Sequence, residues 1–194
     1  MVHKRSSKII TPKDEWETPV WLWHLLREEY DLVVDAACTP QNALTPVSMG
    51  ADSLSIPWVE LFGKVGFYLN PPYSAVKINA FMKKAYEESL KGASVVCLVP
   101  VSGDRWWIDY ALKAQEIRYI RGRVKFVGYD EDGNRVNGSP MFSSCVVIFW
   151  QREPEQIERN DPPRIGKTIE QPKKVPIQTG NLGKRGPPDW SDYR

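Results

Sequence analysis

The feature that most constrains this chain is a short apolar run, a turn, an amphipathic stretch and a second apolar run that follow one another in its middle. Residues 65–69 and 94–99 are short and rich in β-branched and aromatic side chains, which is typical of buried strands. Residues 75–90 repeat apolar side chains at helical spacing, and Gly92 stands where a helix would end. We therefore predict an α/β fold with a mostly parallel sheet flanked by helices.

The turn between the first run and the helix reads Asn70-Pro71-Pro72-Tyr73. In α/β sheets, ligands bind at the carboxyl ends of the strands. The two prolines have a fixed φ and no N–H to donate, so the Asn70 amide and the Pro71 carbonyl are expected to face a guest. Tyr73 adds a flat face for stacking. The turn therefore predicts a site for a planar amine, with these four residues as the catalytic candidates.

Residues 32–37 form an earlier apolar run, which we interpret as the first, central strand. It ends at Asp35-Ala36-Ala37, without the glycine-rich turn that many cofactor-binding α/β folds have at this point. The next segment, 39–55, is rich in turn formers and too short for a complete strand–helix–strand unit. We therefore expect a compressed crossover with at most a short second strand.

Other stretches complete the expected domain. Thr18 and Pro19 predict a helix start, with Thr18 as the N-cap and Pro19 at the first helical position. The two tryptophans at 106 and 107 are expected on a helix that runs to about residue 115. Strand-like runs are expected at 117–120, 124–127 and 145–150, and the Asp-Gly pair within 129–134 predicts a hairpin turn that could lie over the site.

Taken in order, several of these stretches resemble a known enzyme family. They are Asp14-Glu15-Trp16-Glu17-Thr18-Pro19, residues 32–38, residues 69–74, Trp106-Trp107, residues 117–123 and residues 142–149. Over roughly residues 14–150 the chain resembles the phage-type DNA N6-adenine methyltransferase (Dam) family. The resemblance implies a Rossmann-like class I methyltransferase fold with an antiparallel last strand and a compressed cofactor-binding region. It also implies a phage-encoded enzyme that methylates N6 of adenine in DNA and protects that DNA from restriction.

The resemblance also assigns a cofactor and a substrate. The implied cofactor is S-adenosylmethionine, and the residues implied to bind it are Trp16, Thr18, Pro19, Asp35, Ala36, Ala37, Asp52 and Asn70. Asp35 would face the sulfonium and amino group, whereas Asp52 would accept the adenine amine of the cofactor. A purely structural role as a cap or turn residue is the open alternative for Thr18, Asp35 and Asp52. The implied substrate is double-stranded DNA with a flipped adenine.

The net charge is only +2, so any contact with DNA has to come from local basic patches. The densest cluster lies between residues 118 and 125, where basic and aromatic side chains alternate. Candidates for phosphate contacts are Lys77, Arg105, Arg118, Arg121, Arg123 and Lys125. Solvated charges on the exposed faces of a sheet are the alternative interpretation.

Composition divides the chain into a basic N-terminal arm (1–13), a catalytic domain (14–152) and a Pro-rich extended or disordered tail (153–194). At 194 residues and 42% hydrophobic composition, one domain with a real core is expected. Three cysteines lie in apolar runs, which favours reduced core thiols of a cytosolic protein. If the protein is phage-encoded, as the resemblance implies, its compartment is the cytoplasm of the bacterial host. No apolar run approaches the roughly 20 residues of a membrane helix, and the two histidines have no ligand-like company. Neither a membrane span nor a metal site is expected, and the oligomeric state is open.

Two alternatives remain open. The same Asn-Pro-Pro-Tyr loop serves enzymes that methylate RNA bases or protein glutamine side chains, although the glutamine enzymes usually carry the glycine-rich turn that is missing here. The other alternative is an inactive DNA-binding module on the same fold. The intact Asp35 and Asn70–Tyr73 turn argue against it.

Overall fold

The structure is a computed structural model that describes residues 12, 15–39, 42–50, 52–150 and 163–172. Nearly all of the predicted basic arm and most of the predicted tail lie outside these ranges. The helices are α1 (Val20–Tyr30), α2 (Trp58–Phe62), α3 (Ala75–Leu90) and α4 (Arg105–Asp109), with a 3₁₀ turn at Ala111–Lys113. The strands are β1 (Leu32–Asp35), β2 (Val47–Ser48), β3 (Gly66–Leu69), β4 (Ser94–Pro100), β5 (Glu116–Tyr119), β6 (Phe126–Tyr129), β7 (Arg135–Gly138), β8 (Ser144–Phe149) and β9 (Arg164–Ile165).

Seven strands form one sheet in the order β2-β1-β3-β4-β8-β5-β9, and β6 and β7 form a separate hairpin. Strands β2, β1, β3 and β4 are parallel, whereas β8 runs antiparallel between β4 and β5. The predicted mostly parallel sheet is therefore confirmed. The antiparallel strand that was expected last is β8, and only the two-residue strand β9 follows it in the chain. Strand β8 lies inside the sheet and pairs with β4 on one side and β5 on the other, and all six of its residues are buried.

The two faces of the sheet carry separate hydrophobic clusters. Successive side chains of a strand point to opposite faces, so Phe67 and Leu69 of β3 pack with α2, α3 and α4, while Tyr68 packs with α1. Strand β4 alternates in the same way. Helices cover both faces, which explains why these strands appear in the sequence as continuous apolar runs.

The compressed crossover after β1 and the Asp-Gly hairpin are both present. Strand β2 has two residues, pairs in parallel with β1, and is followed only by the five-residue helix α2. In the hairpin turn, Asp130 accepts hydrogen bonds from the backbone N–H groups of Asp132 and Asn134, and Gly133 adopts a φ of 75°. The turn residues thus joined β6 to β7 as their sequence indicated.

The start of α1 differs from the prediction. The helix begins at Val20, Pro19 is its N-cap, and no side chain caps it. The Thr18 hydroxyl instead forms a 2.7 Å hydrogen bond with the buried hydroxyl of Tyr68. A buried phenol needs a partner, and this demand outweighs the local capping preference of Thr18. Helix α4 is also shorter than expected, because it ends at Asp109 and only a 3₁₀ turn follows.

The described residues include 163–172, which lie beyond residue 152, where the catalytic domain was predicted to end. Strand β9 pairs in parallel with β5, and Ile169 is buried beside Ile120. Within residues 163–172, β9 and Ile169 cover the edge of the sheet beside β5. An exposed edge strand has unpaired N–H and C=O groups, which this segment satisfies.

Candidate active site

The candidate site lies where the parallel strands β1 and β3 end side by side. Asp35 is the last residue of β1 and pairs with Tyr68 of β3, so Asn70 follows one residue beyond the end of β3 at the same edge. Residues 16–18 pass beside both strand ends. Together they surround a small polar pocket lined by Trp16, Glu17, Thr18, Asp35, Ala37, Cys38, Asn42, Leu44, Tyr68 and Asn70.

Asp35 is the buried carboxylate of this pocket, with only 2% of its surface exposed. One carboxylate oxygen accepts the N–H of Ala37 at 3.3 Å and the other accepts the N–H of Leu44 at 3.1 Å. Burial raises the pKa of Asp35 to about 6, although the backbone N–H groups of Leu44 and Ala37 oppose the shift by stabilising the charged form. At neutral pH the pocket therefore holds a desolvated negative charge.

Two titratable neighbours of Asp35, Cys38 and Tyr68, are neutral. Burial, followed by the nearby Asp35 carboxylate, raises the pKa of the Cys38 thiol to about 12. Burial also raises the pKa of the Tyr68 hydroxyl above its usual value. A buried carboxylate beside these neutral groups is a suitable environment for a ligand that carries a positive charge.

Asn70 is held by a hydrogen bond at each end of its side-chain amide. Its Nδ2 donates to the Trp16 carbonyl at 3.4 Å, and its Oδ1 accepts from the Tyr73 hydroxyl at 2.8 Å. The Tyr73 hydroxyl also lies 3.2 Å from the Leu98 carbonyl, so two acceptors share its one proton. An amide oxygen has two lone pairs, and Oδ1 therefore has room for a second donor such as a substrate amine.

Aromatic rings surround Tyr73. Its ring lies edge-to-face with Phe142 at 5.4 Å and with Phe126 at 6.2 Å between centroids, and Phe126 in turn contacts Trp16. The half-buried Tyr73 ring is thus held by neighbours from the hairpin and from the loop before β8. Phe142 was not singled out as a site residue from the sequence, since an aromatic residue before a buried strand is usually part of the core.

Glu17 is a second residue that sequence reasoning missed. Its backbone pairs with Val127 of β6, its Oε1 accepts from the Tyr129 hydroxyl at 2.8 Å, and its Oε2 forms an ion pair with Arg135 of β7. The pocket-lining segment is therefore fastened to the hairpin, and the Glu17 charge is balanced by Arg135. The hairpin partners are more than 100 positions away in the sequence, so no local pattern pointed to them.

The predicted cofactor residues fall into three groups: residues that line the pocket, buried residues next to them in the chain, and Asp52. Trp16, Thr18, Asp35, Ala37 and Asn70 line the pocket. Pro19 and Ala36 are buried and adjoin the lining residues Thr18, Asp35 and Ala37 in the chain.

Asp52 stands apart from both groups, because it is exposed and outside the pocket lining. Its neighbour Ser53 is buried and donates a hydrogen bond to the Ala36 carbonyl at 2.5 Å. The turn at Asp52 is thus fixed through Ser53, and the geometry gives no support to the role expected for Asp52.

Arg118 is not available to DNA, contrary to the prediction. Its guanidinium makes two hydrogen bonds to Glu29, at 2.6 and 2.5 Å, and a third to Glu116 at 2.7 Å, and it lies over the Tyr30 ring. Only 13% of the side chain is exposed. The hydrogen bond from Arg118 holds the pKa of Glu29 below its usual value. Arg118 fastens α1 to β5, because Arg118 belongs to β5 and Glu29 belongs to α1.

The other basic candidates are exposed and belong to one edge of the sheet. Arg121, Arg123 and Lys125 follow β5, and all three are exposed. Arg121 makes an exposed ion pair with Glu170, of the kind that contributes little to stability. Lys77 lies in the first turn of α3 and Arg105 is the first residue of α4, and both are exposed. Helices α3 and α4 begin, and strand β5 ends, at the side of the sheet that holds the pocket.

Two negative findings concern the described residues only. None of their helices is long and apolar enough to cross a membrane. No group of three or more His, Cys, Asp or Glu side chains within the described ranges is arranged to hold a metal ion.

Comparison with known proteins identifies the family of the chain. The family model described as DNA N-6-adenine-methyltransferase (Dam) matches residues 5–168. A protein of Haemophilus phage HP1 (strain HP1c1) named DNA N-6-adenine-methyltransferase is 29% identical over 154 residues, covering 73% of this chain and 82% of the phage protein. The family match spans the pocket, the Asn-Pro-Pro-Tyr turn and strand β9 together. The chain therefore belongs to the Dam family of DNA N-6-adenine-methyltransferases.

Proposed function

We propose that this protein transfers a methyl group from S-adenosylmethionine to N6 of an adenine that is flipped out of double-stranded DNA. The observation that carries the proposal is the juxtaposition of Asp35 and Asn70 at adjacent strand ends. A buried carboxylate suited to a cation lies in the same pocket as an amide whose oxygen has a lone pair to spare. A carboxylate for the cationic cofactor and an acceptor for the amine, placed side by side, would bring the methyl donor and the nitrogen together.

The residues of the pocket fit the cofactor. Asp35 supplies negative charge for the cationic methionine end, and Ala36 and Ala37 are small enough for the backbone after β1 to come close. Trp16 and Thr18 wall the pocket from the other side. S-adenosylmethionine supplies an electrophilic methyl group when bound, so the protein has mainly to position the partners and exclude water.

The adenine amine is a poor nucleophile because its lone pair is delocalised into the ring. Asn70 Oδ1 and the Pro71 carbonyl accept the two N6–H bonds, which favours a pyramidal nitrogen with its lone pair free. Asn70 does not ionise, so its part is hydrogen bonding and electrostatic stabilisation. The hydrogen bonds to Trp16 and Tyr73 hold the amide in the orientation that presents its oxygen.

Flipping removes the target base from its stack at a cost of roughly a few kcal/mol. Stacking on an aromatic side chain offsets about 1–3 kcal/mol per base. Tyr73 and Phe142 supply aromatic surface at this position. We assign the base to this aromatic cluster, with Asn70 at its polar edge.

The acceptor is tested by incubating the protein with labelled S-adenosylmethionine and, in parallel, duplex DNA, RNA and a mixture of proteins. The proposal expects label on N6 of adenine in DNA only. Sequencing methylated DNA from cells that express the protein then gives the target sequence. Label in RNA or on glutamine, with none in DNA, would overturn the assignment of the substrate. Calorimetric titration with the cofactor tests the inactive-module alternative, which expects no binding.

Tyr73→Phe separates the hydroxyl from the ring. We expect it to lower kcat about 10-fold, because the Asn70 amide loses one of its two positioning hydrogen bonds, while the KM for DNA stays unchanged. Tyr73→Ala removes the ring as well and should also raise the KM for DNA. Single-turnover kinetics with both variants measure the split. A Tyr73→Phe enzyme with the wild-type kcat would show that the hydroxyl has no positioning role.

Arg118→Ala is expected to affect the stability of the protein, whereas Arg123→Ala is expected to affect its binding to DNA. Arg118→Ala should lower the free energy of unfolding by roughly 2–3 kcal/mol, because it leaves the buried Glu116 with Arg164 as its remaining ion-pair partner, while DNA affinity stays unchanged. Arg123→Ala should leave stability unchanged and reduce the slope of log affinity against log salt by about 1. Denaturant unfolding and salt-dependent DNA titrations of both variants are the measurements. A loss of DNA affinity in a folded Arg118→Ala protein would contradict the structural role of Arg118.

A further inference from the structure

Met141 is the most exposed large apolar side chain among the described residues, with 85% of its surface accessible. It lies in the connection between β7 and β8, and its neighbours on both sides are held in place. Pro140 is buried, Phe142 packs against Tyr73, and the Ser143 carbonyl accepts the N–H of Val101 at 2.9 Å. The loop is therefore anchored, yet it presents one flexible apolar side chain to solvent, which contributes nothing to the fold.

The surroundings of Met141 combine the candidate site with positive charge. Phe142, the next residue, contacts Tyr73 of the catalytic turn at 5.4 Å. Two residues further along, the Ser144 carbonyl accepts the N–H of Ile120 at 3.2 Å, directly before the exposed Arg121. Met141 thus belongs to a loop that is tied both to the place assigned to the flipped base and to the start of the basic segment at residues 121–125, which is complementary to phosphates.

We propose that Met141 is a wedge that enters the base stack of duplex DNA at the position vacated by the flipped adenine. The inference rests on the proposed function and adds to it a residue that keeps the gap in the duplex open. Apolar side chains, Met among them, insert between base steps in proteins that distort DNA. Met is unbranched and polarisable, so it adapts to an irregular space between neighbouring bases.

A wedge acts only on a base that has to leave a pair, and this distinguishes it from a residue that touches the reacting base. The substrates are two duplexes with the target sequence identified by sequencing. One is fully paired, and the other has an abasic nucleotide opposite the target adenine, so that no pair has to be broken. We expect Met141→Ala to lower the methylation rate on the paired duplex about 10-fold or more, and on the abasic duplex by less than about threefold.

Two variants serve as controls. Met141→Leu keeps an apolar side chain of similar size and should remain within about threefold of wild type on both duplexes. Leu61→Ala removes an exposed apolar side chain from α2, which precedes β3 and so lies at the opposite edge of the sheet, and should change neither rate. Replacing the target adenine with 2-aminopurine gives a second readout, because its fluorescence rises when it leaves the stack. At saturating protein, Met141→Ala should show a smaller rise than wild type or Met141→Leu.

The outcomes separate the inference from the proposed function. An equal loss of methylation rate on both duplexes, or no loss on the paired one, overturns the role of Met141 as a wedge. In either case, methylation by the wild-type protein still supports the proposed function. If the wild-type protein methylates neither duplex, the proposed function fails and the wedge fails with it. Because Met141 is exposed, its substitution should leave the thermal unfolding of the protein unchanged, and the rates report on DNA alone.

Discussion

Asn70→Ala is expected to lower kcat for DNA methylation by about 10²–10³-fold, the size of effect seen when one preorganised group that stabilises a transition state is removed. The loss should fall on kcat, because Asn70 Oδ1 is assigned to accept an N6–H bond that strengthens as the nitrogen becomes pyramidal. Single-turnover methylation with saturating cofactor and DNA measures this step directly.

The structure offers informative companions to this variant. Asn79→Ala makes the same change on α3, nine residues further along the chain, and should retain wild-type activity. Asn70→Asp keeps an acceptor for the amine but cannot donate to the Trp16 carbonyl, so it should lose less activity than Asn70→Ala. Near-normal methylation by a folded Asn70→Ala protein would remove Asn70 from the mechanism.

Asp35→Asn is expected to weaken S-adenosylmethionine binding by about 10- to 100-fold, the usual worth of a hydrogen bond or contact with a charged group. The pKa of Asp35 is about 6, so the wild-type carboxylate is charged at pH 8 and largely protonated at pH 5. Cofactor affinity of the wild-type protein should therefore fall as the pH drops through about 6. In Asp35→Asn this pH dependence should disappear.

The free energy of unfolding should change with pH in the direction opposite to cofactor affinity, so that it falls as the pH rises. The folded pKa of Asp35 lies above its ordinary value of 3.8, so folding favours the protonated form. Its contribution to stability is complete below about pH 4 and is lost as the pH rises through about 6, by roughly 2–3 kcal/mol in total. The buried charge thus destabilises the free enzyme at neutral pH, the same condition in which it is proposed to bind the cofactor.

Calorimetric titration at pH 5 and pH 8, with denaturant unfolding at the same pH values, checks both trends. Asp31→Asn is the matched control, since Asp31 is exposed, precedes β1 at its other end and adopts a φ of 46° that Asn tolerates. S-adenosylhomocysteine lacks the sulfonium charge, so comparing it with the cofactor shows how much of the pH dependence comes from that charge. Unchanged cofactor affinity in Asp35→Asn would place the methionine end outside this pocket.

Local patterns in the sequence predicted much of the site because local physics produces it. The Asn-Pro-Pro-Tyr turn followed β3 as expected, since two prolines end a strand and the apolar run before them is too short to be a helix. Asp35 and Asn70 came together because parallel neighbouring strands bring their carboxyl ends to one edge. The Asp-Gly hairpin formed for a similarly local reason, with the Asp130 side chain closing its own turn.

Contacts between distant residues account for the errors. Arg118 belongs to a basic cluster in the sequence, but Glu29 lies 89 positions away and captures it in the folded chain. Glu17 was part of a family motif without a role of its own until the hairpin supplied Tyr129 and Arg135. Thr18 has a good capping sequence, yet the hydroxyl of Tyr68, 50 positions away, takes its hydrogen bond.

By itself, the sequence determined the α/β sheet, the turn that bears Asn70, the charge at the end of β1 and the family, because periodicity, proline and chain order are local properties. Only the tertiary structure decided which basic side chains remain exposed, how the Asn70 amide is oriented, and that Met141 is presented beside the aromatic cluster. These depend on ion pairs and hydrogen bonds between residues that are far apart in the chain. Such contacts form only when the sheet has brought their partners together.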